Sequence, residues 1–403
     1  MSGKKRIAIV AFSAPPLSSG GVASAHYNLY QALQKAGLDA RLFTFGDAPH
    51  SASEANIVRS GSPRWWIAVL RFVNRWIFKL LQPGQRAYQS FDICSAQWGA
   101  RRMATKIRTW APDVIILSDH AAPGLALRKL EGVKQILVSH HNPARFIQPP
   151  APDNYSKLDT RLALCWEQQV VDGVDAVVCP SRYMFEFFQQ SYRFEGPMLC
   201  IPNLLDSQVL KVEGKDDLRQ MLGVSKKTAL VYLPSAGSQL KGADYLEPLI
   251  RSLRQAWNGE IAFYIPGTVE HKYVQIFHRL ESTSDIYLPG QLAYEDNFVL
   301  ARQCDFCISL SLMENYSMAL LEAALLGLPI LAFDTGGNAD IVHEGKNGYL
   351  IDMDAVGYLI DRAEAWKDRK TLKTFRQQAL AYSRRALDPS IAAQAYVDLV
   401  QSL

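Results

Sequence analysis

Asp305-Phe-Cys-Ile-Ser-Leu310-Ser-Leu-Met-Glu314-Asn315-Tyr-Ser-Met318-Ala-Leu-Leu-Glu322-Ala-Ala-Leu-Leu-Gly-Leu-Pro-Ile330-Leu-Ala-Phe333 is the stretch that decides the fold. Its ends, Asp305–Leu310 and Ile330–Phe333, are apolar runs of strand length, and its middle reads as a helix starting near Asn315. Strand, helix and strand in one short segment make a crossover unit, and such units build parallel sheets. Glu322 is the only charged residue between Met318 and Phe333. A carboxylate in such company is costly unless something hydrogen-bonds or neutralises it. Glu314 stands where the helix should begin, about 12 Å from Glu322 if each residue adds 1.5 Å of rise. The plain readings are a capping charge at Glu314 and a solvated edge at Glu322.

The same alternation extends along the chain. Apolar runs stand at Arg6–Phe12, Ala40–Phe45, Val114–Ser118, Gln135–Ser139, Ala176–Pro180 and Met198–Ile201. A second series stands at Thr228–Leu233, Ile261–Ile265, Ile286–Leu288, Asp305–Leu310, Ile330–Phe333 and Tyr349–Ile351. Between the series, Asn203 to Gly223 reads as a linker and the first helix of a new domain. The expected class is α/β, with two Rossmann-like domains over residues 1–205 and 206–385. A closing segment, 386–403, carries a last helix from about Pro389 to Ser402. Parallel sheets of this kind bind ligands at their carboxyl ends, which points to a cleft between two facing sheets.

Composition narrows the classes. A 403-residue chain with 48% hydrophobic residues is an ordinary globular protein. A net charge of +4 suits an anionic ligand or membrane surface, and no nucleic-acid partner is expected. Six irregularly spaced cysteines do not make a disulfide framework. Cys304 and Cys307 form a CxxC inside a strand with no second ligand pair near, so buried thiols and no metal are expected. Met1-Ser-Gly-Lys-Lys-Arg leads straight into a strand rather than a signal peptide. No apolar run reaches the roughly 18 residues of a bilayer span. A cytoplasmic location follows as the expectation.

Residues 63–81 break the alternation: Pro63-Arg-Trp65-Trp66-Ile-Ala-Val-Leu-Arg71-Phe-Val-Asn-Arg75-Trp-Ile-Phe-Lys79-Leu-Leu81. Arg64, Arg71, Arg75 and Lys79 recur at helical spacing, aromatic residues fill the rest, and no acid is present. This is the pattern of an interfacial helix that lies on an anionic membrane or holds a lipid-linked acceptor. A helix packed on the first domain, with its bases solvated, is the plainer alternative.

Other candidates sit at strand ends. Gly20 and Gly21 follow the first strand and open a helix from Val22 to Lys35, where bare N–H groups suit a phosphate. Their spacing is not GxGxxG, which disfavours NAD. His120 follows one strand, and His140 with His141 follows another, where imidazoles suit substrate hydroxyls or phosphate. Lys241-Gly242 opens a helix after the strand that ends near Leu233, and lysine there suits a diphosphate. Asp334-Thr-Gly-Gly-Asn-Ala-Asp340 makes another strand-end turn.

The stretch from Glu314 to Val342, with Asn347-Gly-Tyr-Leu, resembles the EX7E region of retaining GT-B glycosyltransferases of family 4 (GT4). Gly20-Gly21, His120, Ile201-Pro-Asn-Leu-Leu-Asp206 and Lys241-Gly242 extend the resemblance along nearly the whole chain. It implies a first domain that binds the acceptor and a second that binds the sugar nucleotide. Glu314, His120 and Lys241 would be the catalytic residues. Glu322 would hold the donor ribose, with Gly20, Gly21, Asn203 and the Asn315-Tyr316-Ser317-Met318 segment completing donor binding. His141, Trp65, Trp66 and Arg71 are the acceptor-side candidates. The donor would be UDP- or GDP-linked, with no metal and no other cofactor. The acceptor would be a glycan or lipid-linked glycan of a surface polysaccharide, met at the inner face of the cytoplasmic membrane through 63–81.

Two departures stand out. The family's arginine about five residues before the lysine is replaced by Ser235-Ala-Gly-Ser-Gln, leaving Lys241 alone or helped by a cation such as Arg182. Tyr316 and Ser317 replace the family's glycine. A GT-B sugar-nucleotide epimerase or hydrolase, or a non-catalytic nucleotide- or glycan-binding partner, are the alternative readings.

Overall fold

The computed structural model describes residues 5–17, 20–47, 55–127, 130–149, 151, 154–206, 208–281 and 284–403. The chain divides into two compact units, Met1–Leu204 with Ser390–Leu403, and Leu205–Pro389.

The first unit holds a seven-stranded sheet: β1 Arg6–Ala11, β2 Asp39–Thr44, β3 Ile57–Arg59, β4 Val114–Ser118, β5 Lys134–Val138, β6 Ala176–Cys179 and β7 Met198–Cys200. Every pairing is parallel, in the order β3-β2-β1-β4-β5-β6-β7. Such strands are covered on both faces and so read as unbroken apolar runs. In β1, Ile7, Ile9 and Ala11 face one core cluster while Ala8 and Val10 face another. Helices α1 Gly21–Lys35, α2 Arg64–Leu81, α3 Gln89–Trp110, α4 Lys157–Val171 and α5 Arg182–Ser191 link the strands. Ser156 and Ser181 cap α4 and α5 by accepting from Asp159 N and Met184 N.

The second unit holds six parallel strands: β8 Ala229–Tyr232, β9 Ile261–Tyr264, β10 Ile286–Tyr287, β11 Phe306–Ser309, β12 Ile330–Phe333 and β13 Gly348–Ile351. Their order is β10-β9-β8-β11-β12-β13. The helices are α6 Leu218–Leu222, α7 Ala243–Ala256, α8 Val274–Glu281, α9 Tyr294–Ala301, α10 Met318–Leu325, α11 Val356–Ala365 and α12 Arg369–Ala386. Both sheets reverse direction once, between β1 and β4 and between β8 and β11, and a crevice forms at such a reversal.

The last helix, α13 Pro389–Ser402, lies in the first unit. Its Tyr396, Val397 and Val400 pack with Ile7, Ile9, Leu29 and Leu33, and Lys5 Nζ donates to Val400 O at 2.9 Å.

Each expected strand is present to within one residue at either end. Strand β3 was not expected, because three residues at a sheet edge are too short to show a period. The helix expected from Asn315 begins instead at Met318, where Ser317 is the N-cap and accepts from Leu320 N. Glu314 is therefore a loop residue, and its separation from Glu322 is not a run of helical rise. Cys304 and Cys307 are fully buried, and burial pushes both thiols up.

Tyr396 is only 3% exposed. Tyr396→Ala is expected to lower the stability of the first unit by about 3 kcal/mol through transfer and cavity costs. Chemical denaturation followed by near-UV circular dichroism checks this.

Candidate active site

In the second unit three strand-end loops are stitched together beside the point of reversal. Leu312 N and Ser311 Oγ both donate to Leu240 O, at 2.9 and 3.2 Å. Thr335 Oγ1 donates to Ser311 O at 3.0 Å. Gly242 has φ +78°, and a Cβ there would stand 2.1 Å from Leu310 O, so only glycine lets the β8 loop close on the β11 loop. The closure sets Lys241 against Glu314, with Nζ 2.5 Å from Oε1. The glutamate side chain is 11% exposed and the lysine 36%. Asn315, Tyr316, Ser317 and Met318 are all buried and lead into the amino end of α10. The loop that lacks the family arginine bends through Ser235 at φ 55°.

Glu322 lies one turn inside α10. It is 8% exposed, and Tyr294 at the start of α9 donates its hydroxyl to Oε1 at 2.9 Å. Burial pushes its carboxyl up from the ordinary 4.5 to about 7, with the Tyr294 bond working against the shift. Tyr294 was missed in the sequence, although it follows the carboxyl end of β10, where cleft residues project.

In the first unit His120 and His141 meet edge to face, with ring centroids 5.1 Å apart. Phe12 packs on the other side of His120 at 5.2 Å. Burial, reinforced by the charge of His141 and opposed by Asp119, pushes His120 down to about 4. Asp119 follows β4, and its Oδ2 accepts from His141 N at 2.7 Å and Ser139 Oγ at 3.2 Å. The backbone here is strained, with φ of 58° at Ala121, 47° at Ala122 and 44° at Asn142. Strain of this kind clusters at functional sites.

The other first-unit candidates are scattered. Asn203 Oδ1 lies 2.8 Å from His140 Nε2. Gly20 caps α1 in an extended conformation and Gly21 is its first residue, both exposed. His141, expected on the acceptor side, has its Nδ1 3.9 Å from Glu167 Oε1 in the interior. Trp65, Trp66 and Arg71 lie on α2, which packs on α3. Trp66 donates to Cys94 O at 3.4 Å, Arg71 lies over the Phe91 ring, and Trp65 is 58% exposed.

Two family profiles match the chain, Glycosyltransferase Family 4 over residues 19–209 and Glycosyl transferases group 1 over residues 214–381. The lipopolysaccharide 1,2-N-acetylglucosaminetransferase of Salmonella typhimurium is 21% identical over 263 residues, 62% of this chain and 68% of that one. Sucrose-phosphate synthase from Thermosynechococcus elongatus has a TM-score of 0.78 at 14% identity, covering 99% of both chains. The Anabaena protein HepE, solved with UDP-glucose, has a TM-score of 0.69 at 19% identity over 99% of this chain and 100% of its own. The structural likenesses establish the two-domain GT-B fold.

The raised carboxyl of Glu322 sets a sign for stability. A folded-state pKa above the unfolded one favours the acid form, so stability is full below about 4.5 and lost as pH rises through about 7. Glu322→Gln, a mimic of the acid form, is expected to leave stability near unchanged at low pH. At pH 8 it should gain up to about 3 kcal/mol, from the 1.36 kcal/mol that each pKa unit represents. Urea midpoints at the two pH values test the difference.

Proposed function

The chain belongs to the GT4-type glycosyltransferases of GT-B fold, and we propose that it moves a sugar from a UDP- or GDP-linked donor to a lipid-linked glycan, keeping the anomeric configuration. The observation that carries this reading is the grouping of Lys241, Glu314 and the amino end of α10 at the carboxyl ends of β8 and β11. Glu322 lies buried one turn further in.

A sugar nucleotide presents a dianionic diphosphate between two polyols. The Lys241 ammonium and the first-turn N–H groups of α10 offer positive potential to the diphosphate. Glu322 suits the ribose hydroxyls, which satisfy a buried carboxylate that otherwise has Tyr294. Glu314 contacts the donor sugar, and His120 hydrogen-bonds the sugar being transferred. Gly20, Gly21 and Asn203 are assigned to the donor.

In the reaction the bond from the anomeric carbon to the β-phosphate oxygen breaks. The acceptor oxygen bonds to the same face, and the departing diphosphate takes the acceptor's proton. No separate base, metal or further cofactor is then required, because Lys241 and the helix terminus carry the leaving-group charge. Without donor, Glu314 holds the ammonium in place, and the incoming diphosphate replaces it as the lysine's anion. That holding contact offsets part of the loss of the family arginine.

The acceptor side rests on α2 and on the Salmonella relative, whose name gives lipopolysaccharide as its substrate. Trp65, Val69, Phe72, Trp76 and Leu80 recur along one stripe and are 58%, 51%, 64%, 50% and 76% exposed. Arg64, Arg71, Arg75 and Lys79 are also exposed, and the helix carries no acid. An apolar stripe edged by bases suits the headgroup region of an anionic bilayer, which supports the reading that transfer takes place at the inner face of the cytoplasmic membrane. No helix among the described residues is long and apolar enough to cross a membrane.

Titration with UDP- and GDP-sugars is expected to raise the melting temperature by mass action. If no sugar nucleotide shifts it, ADP-linked ones included, the donor assignment fails. Glu314→Ala should lower kcat by about 100-fold, the scale of one transition-state electrostatic contact. Free sugar and nucleotide produced equally with and without acceptor would make the protein a hydrolase. For the membrane seat, Trp65→Ser, Phe72→Ser and Trp76→Ser together should abolish sedimentation with phosphatidylglycerol vesicles, and unchanged sedimentation sinks that assignment.

A further inference from the structure

Behind His120 the first unit buries a chain of titratable groups. His120 meets the ring of His141. His141 Nδ1 lies 3.9 Å from Glu167 Oε1. The hydroxyl of Tyr192 donates to Glu167 Oε2. The four residues come from the ends of β4 and β5, from α4, and from the residue after α5. Glu167 is 5% exposed and Tyr192 7%. Glu167 is also the only charged residue between Arg161 and Asp172, the pattern that drew attention to Glu322. Removing one partner of a buried ion pair leaves an uncompensated charge, so the members hold one another in place.

We propose that Glu167 and His141 are positioning residues for His120. Glu167, anchored by Tyr192, fixes the His141 ring, and His141 then sets the His120 ring edge-on as a hydrogen-bonding group. The proposal rests on the reading that His120 contacts the transferred sugar.

The electrostatics agree with the geometry. Burial pulls His141 down, but the nearby Glu167 carboxylate, 3.9 Å from Nδ1, outweighs it and raises the group. Burial raises Glu167, with His141 pulling the other way. The other charged or titratable groups around the pair are Asp119 after β4, His140 beside it, Asp92 of α3 and Arg145, whose Nη1 is 3.5 Å from His141 O. The His141 charge and burial together keep His120 neutral. Neutrality matters because glycosyl transfer builds positive charge at the anomeric carbon, which a cationic imidazole would oppose.

The test is Glu167→Gln in the full chain, with histidine side-chain NMR titrations and the pH profile of transfer measured together. Without the carboxylate, the pull that raises His141 is gone and burial lowers it. The His120 titration should then move up from about 4, and kcat should fall about tenfold at unchanged donor KM, less than the roughly 100-fold or more that removing a catalytic group itself costs. The loss should deepen as pH falls toward 5.5, and Glu167→Asp should recover part of the rate. A folded Glu167→Gln protein with unmoved His120 titration and an unmoved pH profile overturns the proposal. If that variant does not fold, His141→Gln carries the same test with the same outcomes. Should the wild type transfer no sugar, the glycosyltransferase reading fails, while the His120 titration still decides the relay.

Discussion

Uninterrupted parallel pairing is the constraint on which the rest of this molecule depends. A parallel strand returns to its starting edge only through a crossover, so helices must cover both faces of each sheet. All carboxyl ends then lie along one rim. On that rim neighbouring loops diverge only where the strand order reverses, at β1/β4 and at β8/β11. Gly20 and His120 flank the first reversal, Lys241 and Glu314 the second. The places where chemistry can occur are thus set by the hydrogen-bond pattern before any reactive side chain is considered.

Asp119, Glu167 and Glu322 are buried carboxylates, and each is settled differently. Asp119 accepts from backbone N–H groups and a serine hydroxyl. Glu167 faces a histidine and a tyrosine. Glu322 has the Tyr294 hydroxyl, and its carboxyl stays raised to about 7. Glu322, with its raised carboxyl one turn inside α10, is the one placed to gain from a hydroxyl-rich ligand. Its cost in the empty protein is the counterpart of its use in the loaded one.

The strands and the fold class were legible because burial on both faces leaves continuous apolar runs. The start of α10 was not, since Asn315-Tyr-Ser reads as readily helical as not until Ser317 takes the cap. The partner of Glu314 was hidden as well, because Lys241 lies 73 residues away and only loop closure over Gly242 joins them. Glu167 carried the same solitary-charge signal as Glu322 and was passed over. His141 was read by its position at a strand end, whereas its charged neighbour Glu167 comes from α4. On α2, the exposed stripe and the inward turn of Trp66 and Phe78 depend on how the helix sits on α3, which composition does not encode. The strand-end rule located the candidate residues, while their partners depended on contacts between segments far apart in sequence.

The position of α13 has a consequence for how the chain assembles. The first unit is discontinuous, because its apolar seam around Ile9, Leu29 and Leu33 is closed by residues that follow the whole of the second unit. Domains generally fold as units in order of synthesis, but here the first unit lacks its closing helix until the second has been made. The contiguous second unit has every strand in hand while the first still shows an open groove to the ribosome's surroundings. The closing contacts of that seam span nearly the whole chain, and contacts of such sequence separation are the kind that slow folding. The part of the protein made first is therefore the last to be finished.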